Sequence, residues 1–374
     1  MTEHSFEALD RLLADGGPAA AFEHLAHTFR EQKRYPMLFE TRLMQIRLDL
    51  GLPLIAADPS AEPSGELRKA YESAFIAAAR ETGGLYLGDG EITRAWPYFR
   101  AIGDTCPVAE ALETAEPGED FEGLVEIAFQ ERVNPRKGFE LVLQKLGLCR
   151  AISFFEQFPG RDGRQQSLNL LVSTLYNDLL ESLRRSVAHV EGSAPEGAGM
   201  LHLITGRDWL FGEYDYYVDS SHLVSILRFA IDLEDSEMLR KSVEMAEYGR
   251  RLAPMFHFKG EAPFENTYED YGIYLRALAG ECVDEAVRHF RSKLADAADS
   301  APAQTLVLLL VRLRRYGEAV DVALEHLQDV PPSQLGCPSA FQLCQLAGDF
   351  DKLKTVAREQ DDLLTYAAAA IQGE

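Results

Sequence analysis

Apolar residues along this chain recur at the spacing of an α-helix and nowhere at that of a strand. Phe22, Leu25, Ala26 and Phe29, and again Leu223, Ile226, Leu227 and Ala230, stand at i, i+3, i+4 and i+7, the stripe by which an amphipathic helix buries one face. No segment alternates with period 2. The sequence therefore predicts an all-α fold without a sheet. Turn signals separate the periodic stretches at Asp15-Gly16-Gly17-Pro18, Thr82-Gly83-Gly84, Asn134-Pro135 and Pro331-Pro332, so helix, turn and helix should alternate from end to end.

A repeat emerges when the last third is laid against itself. YLRALAGECVDEAVRHFRSKL, LVLLLVRLRRYGEAVDVALEHL and FQLCQLAGDFDKLKTVAREQ align so that Val283, Tyr316 and Phe350 become equivalent, 33 and 34 residues apart. Residues 267–371 resemble the tetratricopeptide repeat, whose period is 34 and whose second helix carries a small residue, an aromatic four later and a proline near its end. Ala286 with Phe290 fits that pattern, as does Ala319 with Pro331. The tryptophan and glycine of the family's first helix are missing, and Leu353 stands where alanine belongs. The resemblance implies an α-α superhelix of helical hairpins with a concave face that takes ligands. Looser echoes lie at 87–103, 146–158 and 233–249. Helix pairs that cannot bury an apolar face alone are expected to stack on their neighbours.

Two segments interrupt the array. Residues 191–200, EGSAPEGAGM, read as a loop or link. Residues 253–266, APMFHFKGEAPFEN, hold two prolines, a glycine and four rings, too long and too apolar for an ordinary connection. They suggest an N-terminal helical region (1–190), a central segment with a ligand site (191–275) and a repeat region (276–374).

The central segment is the chemically densest part of the chain. Residues 202–222 bring two histidines, four carboxylates, a tryptophan and three tyrosines together. Asp219 and His222, three apart at a helix start, would share one face, and His202 could join them from the preceding segment. Two imidazoles and a carboxylate suit zinc, manganese or iron. The competing reading makes Asp219 or Ser220 a helix cap and His222 an ordinary first-turn residue. Seven of the 14 tyrosines lie between 214 and 274. They either line a pocket that binds cations through ring faces and charge or fill the space between helix layers with their hydroxyls in water. Tyr216 and Tyr217, being adjacent, should not face one cavity. The candidate ligand-binding residues are Asp208, Trp209, Asp215, Tyr217, His257, Glu265, Tyr268 and Tyr271. The last four sit in or just after the 253–266 loop, which would act as a lid if it folds inward.

Other constellations are plainer. His24 and His27 share a helix with ordinary apolar neighbours and read as surface or boundary residues. Asn134-Pro135-Arg136-Lys137 reads as a cap and first turn with two cations, either an anion seat or a counterweight to the acidic run before it. GGLYLGDG at 83–90 lacks the Lys-Ser/Thr of a phosphate loop.

Sixty acidic against 37 basic residues leave a formal charge of −23, which opposes nucleic-acid phosphates and anionic lipid and favours a cationic ligand or basic peptide. The N-terminal MTEHSFEALDRLL lacks a signal-peptide layout, and the longest apolar run, 306–311, falls far short of the roughly 20 residues of a membrane helix. Five cysteines form no CxxC pair and are expected to be reduced, in a cytoplasmic protein. The sequence thus predicts a tetratricopeptide-like protein with a Tyr/His/Asp-rich site for a small molecule, a basic peptide or a divalent metal. The alternatives are a metal-free protein-interaction scaffold and a metal-dependent hydrolase or non-haem oxygen-using enzyme. The sequence leaves open whether the chain is an enzyme.

Overall fold

The computed structural model describes residues 3–55, 65–295, 299–359 and 361–373, and among these there is no strand, only an isolated antiparallel bridge between Lys259 and Asn266. The fold is all-α and built of successive helical hairpins. Two compact units divide it, one comprising residues 1–147 and 156–164, the other 148–155 and 165–374. The boundaries read from sequence at 190 and 275 both fall inside the second unit.

In the first unit the helices are α1 (Glu3–Glu31), α2 (Tyr35–Asp49), α3 (Glu66–Gly88), α4 (Ile92–Ala101), α5 (Cys106–Glu113), α6 (Phe121–Val125) and the start of α7 (Pro135–Glu156). Their core is drawn from Leu38, Ala79, Phe99, Val108, Leu112 and Phe139. Gly17 breaks α1 with φ 75° and ψ 179°, a combination open to glycine alone, just before Pro18. The turn expected at Thr82-Gly83-Gly84 is absent, because these residues lie inside α3. Packing explains it: a Cβ on Gly83 would stand 2.6 Å from the ring of Phe99 in α4, so the glycine admits a close approach rather than a bend.

In the second unit α8 (Arg164–Glu191) leads to α9 (Met200–Ile204), α10 (Ser220–Ala230), α11 (Ser236–Arg251), α12 (Thr267–Leu278), α13 (Val283–Ser292), α14 (Ala301–Arg312), α15 (Tyr316–His326), α16 (Ala340–Ala347), α17 (Phe350–Glu359) and α18 (Leu363–Gln372). Leu168, Leu171, Leu175, Leu179 and Leu183 form the buried stripe of α8. The repeat register read from sequence is realised: Val283, Tyr316 and Phe350 are the first residues of α13, α15 and α17. Ala286, Phe290, Ala319, Ala323, Leu353 and Ala357 are buried beneath them.

One turn recurs in both units. Lys33, Gly90, Gly280, Arg314, Gly348 and Asp361 all have positive φ. In each case the next residue donates its N–H to the carbonyl five back: Arg34 to Phe29 (2.8 Å), Glu91 to Tyr86 (2.9 Å), Glu281 to Arg276 (2.8 Å), Arg315 to Leu310 (2.8 Å), Asp349 to Cys344 (3.1 Å) and Asp362 to Ala357 (2.8 Å). This is the Schellman closure of a helix C-terminus. It satisfies otherwise orphaned carbonyls and turns the chain back within two or three residues.

Candidate functional site

The segment after α9 is held by two arginines. Arg207 donates to both carboxylate oxygens of Glu191, at 2.7 and 3.0 Å, and to the carbonyls of His202 and Leu203. Arg251 of α11 donates to the Ile204 carbonyl (2.5 Å) and to Asp208 (2.6 Å), and its guanidinium lies 4.3 Å from the ring centre of Phe211. Both cations are thus spent on the fold. Beyond them the loop offers the opposite charge: Glu213 makes no hydrogen bond or ion pair among the described residues, and Asp215 only accepts from the Gly212 N–H at 3.2 Å.

The aromatic residues of this loop sort into two sets. Tyr217 points in, its N–H donating to the Tyr248 hydroxyl (3.0 Å) and its own hydroxyl 3.3 Å from Ser186 Oγ. Tyr216, its neighbour, points out and meets Phe256 of the second loop with ring centres 5.3 Å apart. Tyr214 is 69 % exposed and Tyr216 58 %, and Trp209, Met255 and Phe258 are exposed as well. The adjacent tyrosines therefore take opposite faces, as their spacing requires.

The loop 253–266 does fold inward, but as an anchor. Phe264 is buried and stacks on Tyr271, with ring centres 4.2 Å apart and planes at 11°. His257 is tied to the Leu252 carbonyl (3.0 Å) and set edge-on to Tyr268. Tyr268 donates to the Phe256 carbonyl (3.1 Å). Burial pushes the Tyr268, Tyr248 and Tyr274 hydroxyls well above the ordinary tyrosine range, and Tyr271 up to about 12. Four of the seven clustered tyrosines are therefore packing residues, neutral at physiological pH. A cleft of about 390 Å3 on this side brings together His257, Glu265 and Tyr268 with Arg250 and Lys259.

At the start of α12 lies a constellation that the sequence reading passed over. Asp270 is fully buried and accepts from His289 Nε2 (2.7 Å), Lys293 Nζ (2.7 Å) and the Asn266 N–H (2.8 Å). Lys293 also donates to Glu265 (2.7 Å) and to the Pro263 carbonyl, and its ammonium holds the Glu265 carboxyl below the usual range. Asp270 stands three after Thr267 and four before Tyr274, on the apolar stripe of α12, while His289 follows Ala286 by three on α13 and Lys293 follows it by seven as the C-cap of that helix. An acid on one buried stripe and a lysine on the next was the available signal. The network pins the loop to the α12–α13 hairpin.

Asp219 is the N-cap of α10, accepting from the Ser221 N–H (2.8 Å) and hydroxyl (2.6 Å). Those hydrogen bonds, Ser221 Oγ first, hold its carboxyl below the ordinary range. His202 lies exposed on α9 and His222 half-buried on the first turn of α10. Among the described residues no three His, Cys, Asp or Glu side chains are grouped so that they could hold one ion. Elsewhere, His24 and His27 are exposed on α1. Asn134 Oδ1 accepts from the Lys137 N–H (3.2 Å), and Arg136 pairs with Glu113 and Glu140, so the cations after Asn134-Pro135 are matched by the protein's own carboxylates, one of them from the acidic run.

No family model matches this chain, and no curated protein does. A search of solved structures returns a circular tandem repeat protein, described as having a novel repeat topology and enhanced subunit contact surfaces. It is 16 % identical, with 98 % of this chain and 76 % of that one covered, at a TM-score of 0.15. So slight a likeness carries no argument, and the assignment of an all-α fold rests on the helices themselves.

Proposed function

We propose that the chain is a tetratricopeptide-like interaction scaffold. Its second unit offers an acidic, aromatic surface to a basic peptide segment of a partner protein. The observation that carries this reading is the pairing of exposed rings with carboxylates that no cation of the described residues neutralises, on two joined loops. Tyr214, Tyr216, Met255 and Phe258 are exposed there, Glu213 and Asp215 lie beside the tyrosines in sequence, and the adjacent cations Arg207 and Arg251 are already engaged by Glu191 and Asp208. An arginine or lysine on a partner would gain ring-face attraction and charge together, each ring contact adding about 0.5–2 kcal/mol. A net charge of −23 would steer such a partner in.

Trp209, exposed, and Trp96, buried, are the chain's two tryptophans, so fluorescence change on titration with an arginine-rich peptide reports the proposed surface. Binding with a dissociation constant on the order of 1–100 μM at low salt is expected, weakening as the Debye length shrinks to about 8 Å at physiological ionic strength. Tyr214→Ala with Tyr216→Ala should weaken it at least tenfold. Unchanged binding in that variant, or none by the parent chain, would overturn the reading. A divalent ion at His202, Asp219 and His222 would require Asp219 to leave its cap. Calorimetric uptake of zinc, manganese or iron(II) that His222→Ala abolishes would favour that account instead.

A further inference from the structure

The cleft between the end of α11, the 253–266 loop and the start of α12 has no part in the peptide reading. It holds about 390 Å3, the size of a small-molecule site. Its aromatic floor is fixed in place. Tyr268 lies against Gly249 of α11, where any Cβ would collide with the ring, and its hydroxyl is held by the Phe256 carbonyl (3.1 Å). His257 is tied at one wall to the Leu252 carbonyl (3.0 Å). Lys259 belongs to the antiparallel bridge with Asn266, beside which the Gly260 N–H donates to the Glu265 carbonyl (3.2 Å). The backbone that carries its ammonium is therefore set.

The charges around this floor divide into matched and unmatched groups. Arg250 is paired with Glu247 (2.7 Å) and Glu265 with Lys293 (2.7 Å). The Lys259 ammonium and the Glu269 carboxylate also line the cleft, and neither makes a hydrogen bond or ion pair among the described residues. Glu269 stands three residues beyond Asn266, the bridge partner of Lys259, a rise of roughly 4.5 Å along α12. One cation and one anion are thus offered from neighbouring positions, beside the rings of Tyr268 and Phe258. Both side chains are exposed, so a direct pair between them would be weak and easily given up to a ligand that engages both.

We propose that this cleft binds a free α-amino acid with an apolar or aromatic side chain. The carboxylate meets Lys259, the ammonium meets Glu269, and the side chain lies on the Tyr268 and Phe258 rings. The unmatched pair selects a zwitterion, because a simple amine would be repelled by Lys259 and a simple acid by Glu269. A peptide fits less well, since its terminal charges stand at opposite ends, whereas a free amino acid carries both on one carbon. The rings favour an apolar side chain over a charged one.

Titration calorimetry of the full chain with L-phenylalanine, L-tyrosine and L-leucine tests this. At least one should bind with a dissociation constant on the order of 0.1–1 mM. Phenethylamine, which lacks the carboxylate, and 3-phenylpropionate, which lacks the ammonium, should each bind at least tenfold more weakly than L-phenylalanine. Lys259→Ala and Glu269→Gln should each weaken the amino acid at least tenfold with the helical circular dichroism unchanged, while Arg288→Ala, at an exposed cation on α13, should leave it as it was. If either cleft variant fails to fold, the two truncated ligands decide the matter on the parent chain. Binding of none of the three amino acids overturns the proposal. So does an amine or acid that binds as tightly as the zwitterion, or inorganic phosphate held through Lys259 and indifferent to Glu269→Gln. Tyr214→Ala with Tyr216→Ala should leave amino-acid binding intact, so failure of this site and failure of the peptide surface are read separately.

Discussion

Arg314 shows what a single residue contributes to the interhelical turn. It sits at φ 59° with an exposed side chain, where an L-residue bears a cost of roughly 1–2 kcal/mol that glycine escapes, offset in part by glycine's extra freedom when unfolded. Arg314→Gly should therefore stabilise the chain by roughly 0.5 kcal/mol, read as a higher urea midpoint at unchanged slope, and Arg314→Ala should not. Asp270 is the opposite case. Removing it leaves Lys293, side chain largely buried, and His289 without their common partner. Asp270→Ala should cost about 3–5 kcal/mol, the toll of breaking a buried ion pair from one side, whereas Glu265→Gln, at the exposed end of the same network, should cost no more than about 1 kcal/mol. Equal losses from the two would mean that the network is not organised around Asp270.

At the scale of elements, the second helices of the repeats are linked by ion pairs at nearly the repeat spacing: Asp284 with Arg315 (2.6 Å), Arg291 with Glu318 (3.3 Å) and Asp321 with Lys352. Most of these groups face solvent, so the ladder sets register more than stability. A cap matters more. Ser339 and Gln342 form a reciprocal capping box at α16, and Ser339→Ala should lower stability by about 1 kcal/mol in a denaturant melt; no change would remove the box from the account. Helix starts of this kind were legible in the sequence because periodicity, caps and turns are local properties, which is why Val283, Tyr316 and Phe350 align by spacing alone. Thr82-Gly83-Gly84 misled for the converse reason, since the Phe99 ring that occupies the space at Gly83 comes from another helix. The dense 202–222 segment drew attention by composition, but composition does not say which groups are already spent. Arg207, Arg251 and Asp270 are committed to charged partners 16, 43 and 23 residues away in sequence, beyond the reach of local reading, whereas Asp219 is committed to Ser221, two residues on.

For the whole molecule, the buried tyrosines fix how stability responds to pH. Tyr248, Tyr268 and Tyr274 are raised well above the ordinary value by burial, as are Tyr176 and Tyr271, each to about 12; all five lie in the second unit. Unfolded, they ionise near 10. A group whose folded pKa is raised gives its full stabilisation below the unfolded value and loses it as pH climbs through the folded one. Stability of the second unit should therefore be flat with respect to these groups up to about pH 9.5 and fall steeply above 10. Growing net negative charge acts in the same direction. Acid acts through other residues: Glu113, Glu247 and Glu265 are lowered chiefly by partners Arg136, Arg250 and Lys293, so their contribution is complete above roughly pH 4.5 and lost below it. Following tyrosinate absorbance and helical circular dichroism together as pH is raised separates cause from coincidence. The buried tyrosines should titrate only as the helix signal is lost, in one cooperative step above pH 10. Tyrosines that all titrate near 10 while the helices stay intact would show that the ring cluster between α11 and α12 is open to water, and that the loop carrying Phe264 does not anchor it.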